Sequence, residues 1–185
     1  READFIFKRA TMKLIVLLIS FFILTSCVQE EEDNNIKSKE WSTDHSIDFN
    51  KEVHKREELA IEIYLAHHKD LKMKSTGSGL RYQLAENRVG NGDKARVGDQ
   101  VSVAIEITLL DGRLCYKTDS IPDKFVLGMS NEESGLHEAL QLMKANEKAR
   151  LILPSYLAHG LLGDSERIPP QSILLIDVEL LSINK

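Results

Sequence analysis

A proline pair near the C-terminus limits what the last part of this chain can form. Pro169 and Pro170 lack backbone N–H donors and fix two φ angles, so the segment around them is a stiff loop that leads into extended chain. From Ser172 to Ile183, one alternate set of side chains is almost wholly apolar and the other set is mixed. This period of two predicts a long, half-buried strand.

The clearest strand of the chain lies at Gln100–Leu109, where apolar side chains alternate strictly with small or polar ones. Asp111-Gly112 follows as a hairpin turn, because glycine accepts the positive φ that such a turn needs. A helix from Gly135 to Lys144 carries its apolar residues on a single stripe. Further strands are predicted at Leu80–Ala85, Arg113–Thr118 and Ala149–Leu153. The expected fold is therefore α+β, with an antiparallel sheet wrapped across one short helix.

An amphipathic helix is predicted ahead of this domain, in an arm at residues 48–74. Asp48 is its predicted N-cap, and Gly77 with Gly79 ends the segment. The predicted apolar stripe consists of Val53, Leu59, Ile63, Leu65 and Ala66.

The N-terminal region has the pattern of a bacterial lipoprotein signal. The apolar run Leu14–Leu24 is too short to span a bilayer comfortably, follows basic residues and precedes a small-residue pair and Cys27. We therefore expect residues 1–26 to be a signal peptide and Cys27 to be lipidated, rather than an uncleaved anchor with an incidental cysteine. Met12 is the expected initiator, with residues 1–11 as an upstream extension.

The segment at residues 27–47 is acidic and poor in apolar side chains, so it is predicted to be a disordered, lipidated tether. The residues before Cys27 carry four basic and two acidic side chains, so the net charge of −5 becomes −7 after cleavage. An acidic chain without a basic patch is not expected to bind nucleic acid. The six histidines lack the spacing of metal ligands, and no cofactor or metal is expected. Cys115 remains without a disulfide partner in the mature chain.

Five segments follow one another at intervals that fit a known pattern. They are Phe125-Val126-Leu127-Gly128, the helix from Gly135 to Met143, Ala158-His159-Gly160, Ile168-Pro169-Pro170 and Asp177-Val178-Glu179-Leu180-Leu181. Together they make residues 75–185 resemble the FKBP-type peptidyl-prolyl cis-trans isomerases. The resemblance implies an FKBP-like domain and isomerase activity on proline-containing segments. The preceding helix is similar to accessory helices that pair subunits in bacterial members, but its length favours packing on its own domain or a short arm.

The resemblance implies a pocket in which three aromatic positions of the family carry aliphatic residues. Ile105 stands in place of the first-strand tyrosine, Leu136 in place of the tryptophan at the pocket floor, and Ile176 in place of the strand-end phenylalanine. The pocket stays apolar but loses aromatic area, so a prolyl ring would stack more weakly. The residues implied to bind substrate are Ile105, Cys115, Leu136, Ile168 and Ile176.

Polar positions of the pocket also depart from the family pattern. His159 replaces the flap tyrosine as a possible donor, and Tyr116 offers a phenolic donor or faces solvent. Cys115 is expected to be a small packed hydrophobe rather than a reactive thiol. The pair Glu132-Glu133 is either a solvated lead-in to the helix or a selector of basic segments next to proline, and the backbone N–H of Glu133 is available in both cases. The residues implied to act in catalysis are Phe125, Glu133, His159 and Tyr116.

These observations predict a lipid-anchored isomerase of the cell envelope, in the outer membrane, that assists the folding of exported or surface proteins. Its expected partners are proline-containing segments and, through the lipid on Cys27, the membrane. Residues 133–138 resemble a group of Bacteroidota lipoproteins linked to gliding motility. Two alternatives stay open: a module of the same fold that binds proline-containing or unfolded segments without catalysis, and a structural motility component without an accessible pocket.

Overall fold

The computed structural model describes residues 43–86 and 90–185. The predicted signal peptide, Cys27 and most of the predicted tether lie outside these ranges. Within them, no helix is both long enough and apolar enough to cross a bilayer.

Helices and strands alternate irregularly along the described part of the chain. The helices are α1 (Thr43–His67) and α2 (Ser134–Gln141), with a short 3-10 helix at Ser155–Leu157. The strands are β1 (Lys74–Ser75), β2 (Arg81–Leu84), β3 (Asn91–Lys94), β4 (Gln100–Leu109), β5 (Leu114–Lys117), β6 (Asp123–Val126), β7 (Lys144–Ala145), β8 (Glu147–Leu153) and β9 (Leu174–Asn184).

The main sheet is antiparallel and has β4 and β9 at its centre. Its strands follow the order β1-β2-β8-β9-β4-β5, and β6 also pairs with β4. Strand β4 pairs with β9 along its whole length, from Gln100 opposite Asn184 to Leu109 opposite Leu174, with a bulge between Ser102 and Val103. The same strand thus holds β5 at one end and β6 at the other. Strands β3 and β7 form a separate two-stranded sheet.

The core lies between the main sheet and α2. Leu136 and Leu140 of this helix are fully buried against apolar side chains of β4, β8 and β9. Gly135 permits this packing, since a Cβ atom there would lie 2.7 Å from the side chain of Leu153. The other face of the sheet carries cross-strand ion pairs, among them Arg150 with Asp177. The predicted α+β arrangement is confirmed.

The strand predictions at β2, β4, β5, β8 and β9 are confirmed, and that of β4 has the same bounds. Helix α2 ends at Gln141, three residues before the predicted end. Sequence reasoning missed β6, because only Phe125 of its four residues is buried, which gives no alternating pattern.

The predicted boundaries and stripe of the N-terminal helix need correction. It begins at Thr43 rather than at an N-cap on Asp48, so residues 43–47 of the predicted tether are helical. It ends at His67, well before Gly77. At this end, the imidazoles of His67 and His68 bind carbonyl oxygens of the last helical turn. The buried residues are Val53, Glu57 and Ile61, whereas Leu59 and Ile63 of the predicted stripe are 60% and 51% exposed.

Candidate active site

A cleft of about 1020 Å³ opens where β4, β5 and β6 meet the start of α2 and the loop before β9. Its apolar wall includes Ile105 and Ile107 of β4 and Phe125 of β6. These side chains point into the cleft because alternate residues of a strand share one face, and the inward set of β4 is apolar. Glu133 and His159 lie on the opposite side.

Phe125 is held in place by His137 of α2. The two rings meet edge to face, with centroids 5.7 Å apart and planes at 85°. The imidazole is fixed in turn, because its Nδ1 accepts the N–H of Gly128 at 3.0 Å and its Nε2 donates to the carbonyl oxygen of Ser130 at 3.2 Å. Phe125 is only 8% exposed, so it lines the cleft and belongs to the core at once.

Glu133 and His159 form a pair at the cleft wall. Nε2 of His159 donates to Oε1 of Glu133 at 3.1 Å, and the carboxylate is buried. Glu133 is also the N-cap residue of α2, and its side chain makes no capping hydrogen bond. Its backbone N–H has no acceptor among residues 43–86 and 90–185, as is usual for the first amides of a helix.

The phenol of Tyr116 is engaged by Asp164. The hydroxyl donates to Oδ2 of Asp164, while Oδ1 accepts the backbone N–H groups of Glu166, Arg167 and Ile168 at 2.8 to 2.9 Å. The hydrogen bond to Asp164, together with burial, raises the pKa of Tyr116 to about 12. Burial opposes ionisation of Asp164, but the bonds from Tyr116 and the three amides outweigh it and hold the pKa of Asp164 well below its usual range.

Carboxylates outnumber ammonium groups around the cleft. Burial, followed by the charge of Glu133, raises the pKa of Glu132. Of the two lysines at the lining, Lys117 pairs with Glu106 at 2.5 Å. The carboxylates that line the cleft are Asp119, Asp123, Glu132, Glu133, Asp164 and Glu166.

Two comparisons identify the family. The model of the family described as FKBP-type peptidyl-prolyl cis-trans isomerase matches residues 91–181. Over 127 residues, 67% of this chain, the sequence is 38% identical to the FKBP-type peptidyl-prolyl cis-trans isomerase FkpA of Aeromonas hydrophila. This chain belongs to the FKBP-type isomerase family. It spans 45% of the length of that FkpA and 42% of the length of FkpA from Escherichia coli K12, less than half in both cases.

Solved structures of FKBP-type isomerases share the fold. The crystal structure of FkpA from Escherichia coli matches with a TM-score of 0.59 and 27% identity, over 94% of this chain and 82% of that one. A peptidyl-prolyl cis-trans isomerase from Pseudomonas syringae matches with a TM-score of 0.60 and 26% identity, over 73% of this chain and 96% of that one. The sequence is also 27% identical to the outer membrane protein MIP of Legionella longbeachae, over 84% of this chain and 67% of that protein.

Of the nine FKBP-type pocket residues implied by the sequence, the structure places five in the cleft lining. Ile105, Tyr116, Phe125, Glu133 and His159 line the cleft. The remaining four belong to the hydrophobic core, are at most 2% exposed and are not among the residues that line the cleft. Burial also raises the pKa of the Cys115 thiol, in agreement with a packed hydrophobe. The four buried residues are Cys115, Leu136, Ile168 and Ile176.

Sequence reasoning missed two groups of cleft residues. Asp164 organises the loop before β9, and the turn-forming run Gly163-Asp164-Ser165 is the signal that could have found it. The segment at residues 117–124 lines the cleft between β5 and β6, and its mixed composition gave no pattern. In the described part of the chain, no group of three or more His, Cys, Asp or Glu side chains is arranged to hold a metal ion.

Proposed function

We propose that this chain catalyses the cis-trans isomerisation of X-Pro peptide bonds in polypeptide segments. The observation that carries the proposal is the cleft itself, which is open, has Phe125 in its apolar wall and is lined by Glu133, whose backbone N–H has no acceptor in the described part of the chain. Membership of the FKBP-type family supports the same activity. The proposed substrate-contacting residues are Phe125, Ile105, Glu133 and His159.

The reaction requires little chemistry from these side chains. Rotation about an X-Pro bond meets a barrier of about 20 kcal/mol, but no covalent bond breaks and no proton must move. A catalyst has only to bind the twisted amide more tightly than either planar form. In the proposed mechanism, the prolyl ring packs on Phe125 and Ile105 away from water, and the N–H of Glu133 holds the carbonyl oxygen of the residue before proline.

His159 has a more limited role than a hydroxyl donor would have. A neutral imidazole carries a single N–H, and that of His159 is already donated to Glu133. A substrate carbonyl receives a hydrogen bond from His159 only after the ring turns away from Glu133 or takes up a second proton. The backbone N–H of Glu133 needs neither step, and it is therefore the primary donor of the mechanism.

The decisive experiment is a refolding assay on a protein whose folding is limited by proline isomerisation, with the full chain as catalyst. Acceleration at sub-stoichiometric amounts is the expected result. A cleft variant, Phe125→Leu, should lose most of this acceleration while keeping the circular dichroism spectrum of the parent. Leucine is chosen instead of alanine because Phe125 also belongs to the core, where truncation to alanine would cost roughly 3–5 kcal/mol.

The domain is further proposed to be anchored to the envelope membrane through lipid on Cys27, with exported or surface proteins, including gliding-motility components, as its clients. The apolar run before Cys27 and the similarity of residues 133–138 to motility-associated lipoproteins support this part of the proposal. The relation to a protein named for the outer membrane is in keeping with it. The variant Cys27→Ser should move the protein to the soluble envelope fraction, and retention in the membrane would contradict lipid anchoring.

A non-catalytic binding module is the second candidate function. It is favoured by one observation: the side-chain donors of Tyr116 and His159 are both engaged by carboxylates. In that case the chain would bind an unfolded, proline-containing segment without accelerating refolding. A purely structural role without a pocket is not favoured, because Glu133 and His159 pair at the wall and the cleft beside them is open.

A further inference from the structure

His159 lies in the loop between β8 and β9. The next residue, Gly160, makes two backbone hydrogen bonds within that loop. The N–H of Gly160 donates to the carbonyl oxygen of Ser155 at 2.8 Å. Its own carbonyl oxygen accepts the N–H of Gln171 at 3.0 Å. Gly160 has a φ of +63°, which other residues rarely adopt, and the bonds to Ser155 and Gln171 hold its two backbone polar groups next to His159.

Helix α1 contacts both partners of Gly160. Oε2 of Glu57 accepts the backbone N–H of Ser155 at 3.1 Å inside the protein. Arg56, the preceding residue of the helix, donates to the side-chain oxygen of Gln171. The two residues are 16 positions apart in the loop, yet neighbouring residues of one helix hold them. A third contact joins the same helix to the loop, since His54 stacks on Tyr156 with ring centroids 4.2 Å apart.

Glu57 occupies a position that packing alone would give to an apolar residue. It lies between Val53 and Ile61 on the buried face of α1 and is only 3% exposed. Its Oε1 has no hydrogen-bond partner in the described part of the chain. Burial of a half-satisfied carboxylate is unfavourable, whereas leucine would continue the stripe without that cost. The contact to Ser155 is what this carboxylate supplies and what leucine could not.

We infer that Glu57 and Arg56 of helix α1 are positioning residues for the isomerase site, because they hold Ser155 and Gln171, the two residues that fix Gly160 beside His159. The helix outside the matched family region thereby sets where His159 and its partner Glu133 meet at the cleft wall. The inference concerns the geometry of the loop, and its consequence for turnover rests on the proposed isomerase function.

The test compares amide hydrogen exchange in the loop at residues 154–171 for the full chain and four variants. Glu57→Ala removes the acceptor, Glu57→Gln keeps an oxygen in its place, and Arg56→Ala removes the contact to Gln171. Glu52→Ala is the matched control, because Glu52 is an exposed residue of the same helix outside these contacts. We expect exchange of the Ser155 and Gly160 amides to rise roughly tenfold or more in Glu57→Ala, and less in the exposed Arg56→Ala. Glu57→Gln and Glu52→Ala should resemble the parent, and the amides of β4 and β9 should stay protected in all variants.

A second readout separates positioning from general stability. In the refolding assay, Glu57→Ala should lower kcat severalfold with little change in KM, and Glu57→Gln should restore it. Two outcomes would overturn the inference. One is a uniform rise of amide exchange throughout the domain in Glu57→Ala. The other is unchanged exchange in the loop in both Glu57→Ala and Arg56→Ala. If Glu57→Ala does not fold, Arg56→Ala alone decides. If the parent chain itself lacks isomerase activity, the proposed function fails, and the exchange measurements still judge the positioning role.

Discussion

A hydrogen bond between Tyr116 and Asp164 shifts the pKa of both side chains, and both residues line the cleft. The bond favours the neutral phenol and the charged carboxylate at the same time. It also joins β5 to the loop before β9, because Asp164 binds three consecutive amides of that loop. The pair should therefore be visible in titrations at both ends of the pH scale.

At the alkaline end, we expect Tyr116 to ionise later than an ordinary tyrosine. Its pKa of about 12 exceeds the value near 10 of the unfolded chain, so the folded state keeps a proton that the unfolded state loses. The corresponding stability is complete below about pH 10 and is lost as the pH rises through 12. A tyrosinate absorbance titration should show this late step, and Tyr116→Phe should remove it. If the step persists in that variant, the hydrogen bond does not have the predicted effect.

At the acidic end, Asp164 should contribute stability with the opposite dependence on pH. Its pKa in the folded state lies below the value near 4 of the unfolded chain, so its contribution is present above about pH 4 and is lost as the pH falls further. Asp164→Asn should flatten the fall of unfolding free energy below pH 4, as measured by urea denaturation. An exposed aspartate, Asp48→Asn, is the control. An equally steep fall in both variants would argue against the predicted role of Asp164.

Individual site residues were predictable from the sequence only where they stand at positions that the family resemblance marks. The resemblance to the family implied that Phe125 and Ile105 belong to the pocket, and for Ile105 the alternation of β4 agrees with it. The Glu57 contact to Ser155 joins residues 98 positions apart and leaves no local pattern. The same holds for Tyr116 with Asp164, which are 48 positions apart.

At the scale of elements, helix α1 shows where periodicity fails. The buried face contains a carboxylate at its centre, so the pattern of apolar residues shifts to Leu59 and Ile63, which are exposed. The strand β4 shows the opposite case, because its apolar side chains alternate with small or polar ones along its whole length, and its bounds were predicted correctly. Hydrophobic period identifies an element reliably only when one face is apolar throughout.

Substitutions at two apolar residues of α1 test which face of that helix is buried. Ile61 is fully buried and Leu59 is 60% exposed. Ile61→Ala should lower the free energy of unfolding by about 2–5 kcal/mol, because it leaves a cavity, whereas Leu59→Ala should change it by less than about 0.5 kcal/mol. Chemical denaturation followed by circular dichroism measures both. A larger loss for Leu59→Ala than for Ile61→Ala would mean that α1 presents the face predicted from the sequence.

At the scale of the whole molecule, charge is distributed so that the cleft is acidic within an acidic chain. The net charge is −5, and among the described residues six carboxylates line the cleft against two lysines, one of which is paired. Like charges that face one cavity repel each other, and the raised pKa of Glu132 reflects its burial and the neighbouring Glu133. A cationic side chain next to the substrate proline would relieve that repulsion, whereas an anionic one would add to it.

We therefore expect the proposed isomerase activity to favour peptides with lysine before proline over peptides with glutamate there. The expected ratio of kcat/KM is roughly two- to fivefold, as for partly exposed ion pairs, and it should shrink as salt screens the cleft. Glu132→Gln should reduce this preference, because it removes a cleft charge while preserving the size of the side chain. The preference of the parent should also fade as the pH drops through the raised pKa of Glu132, where the carboxylate becomes neutral.

Glu52→Gln provides the matched control, since it removes the same charge from α1 outside the cleft lining. If both variants lower the preference equally, the net charge of the chain attracts cationic peptides and the cleft does not select them. If only Glu132→Gln lowers it, the carboxylates before α2 determine the choice of substrate. A parent chain that treats both peptides alike would instead make Glu132-Glu133 the solvated lead-in to the helix that the sequence equally allows.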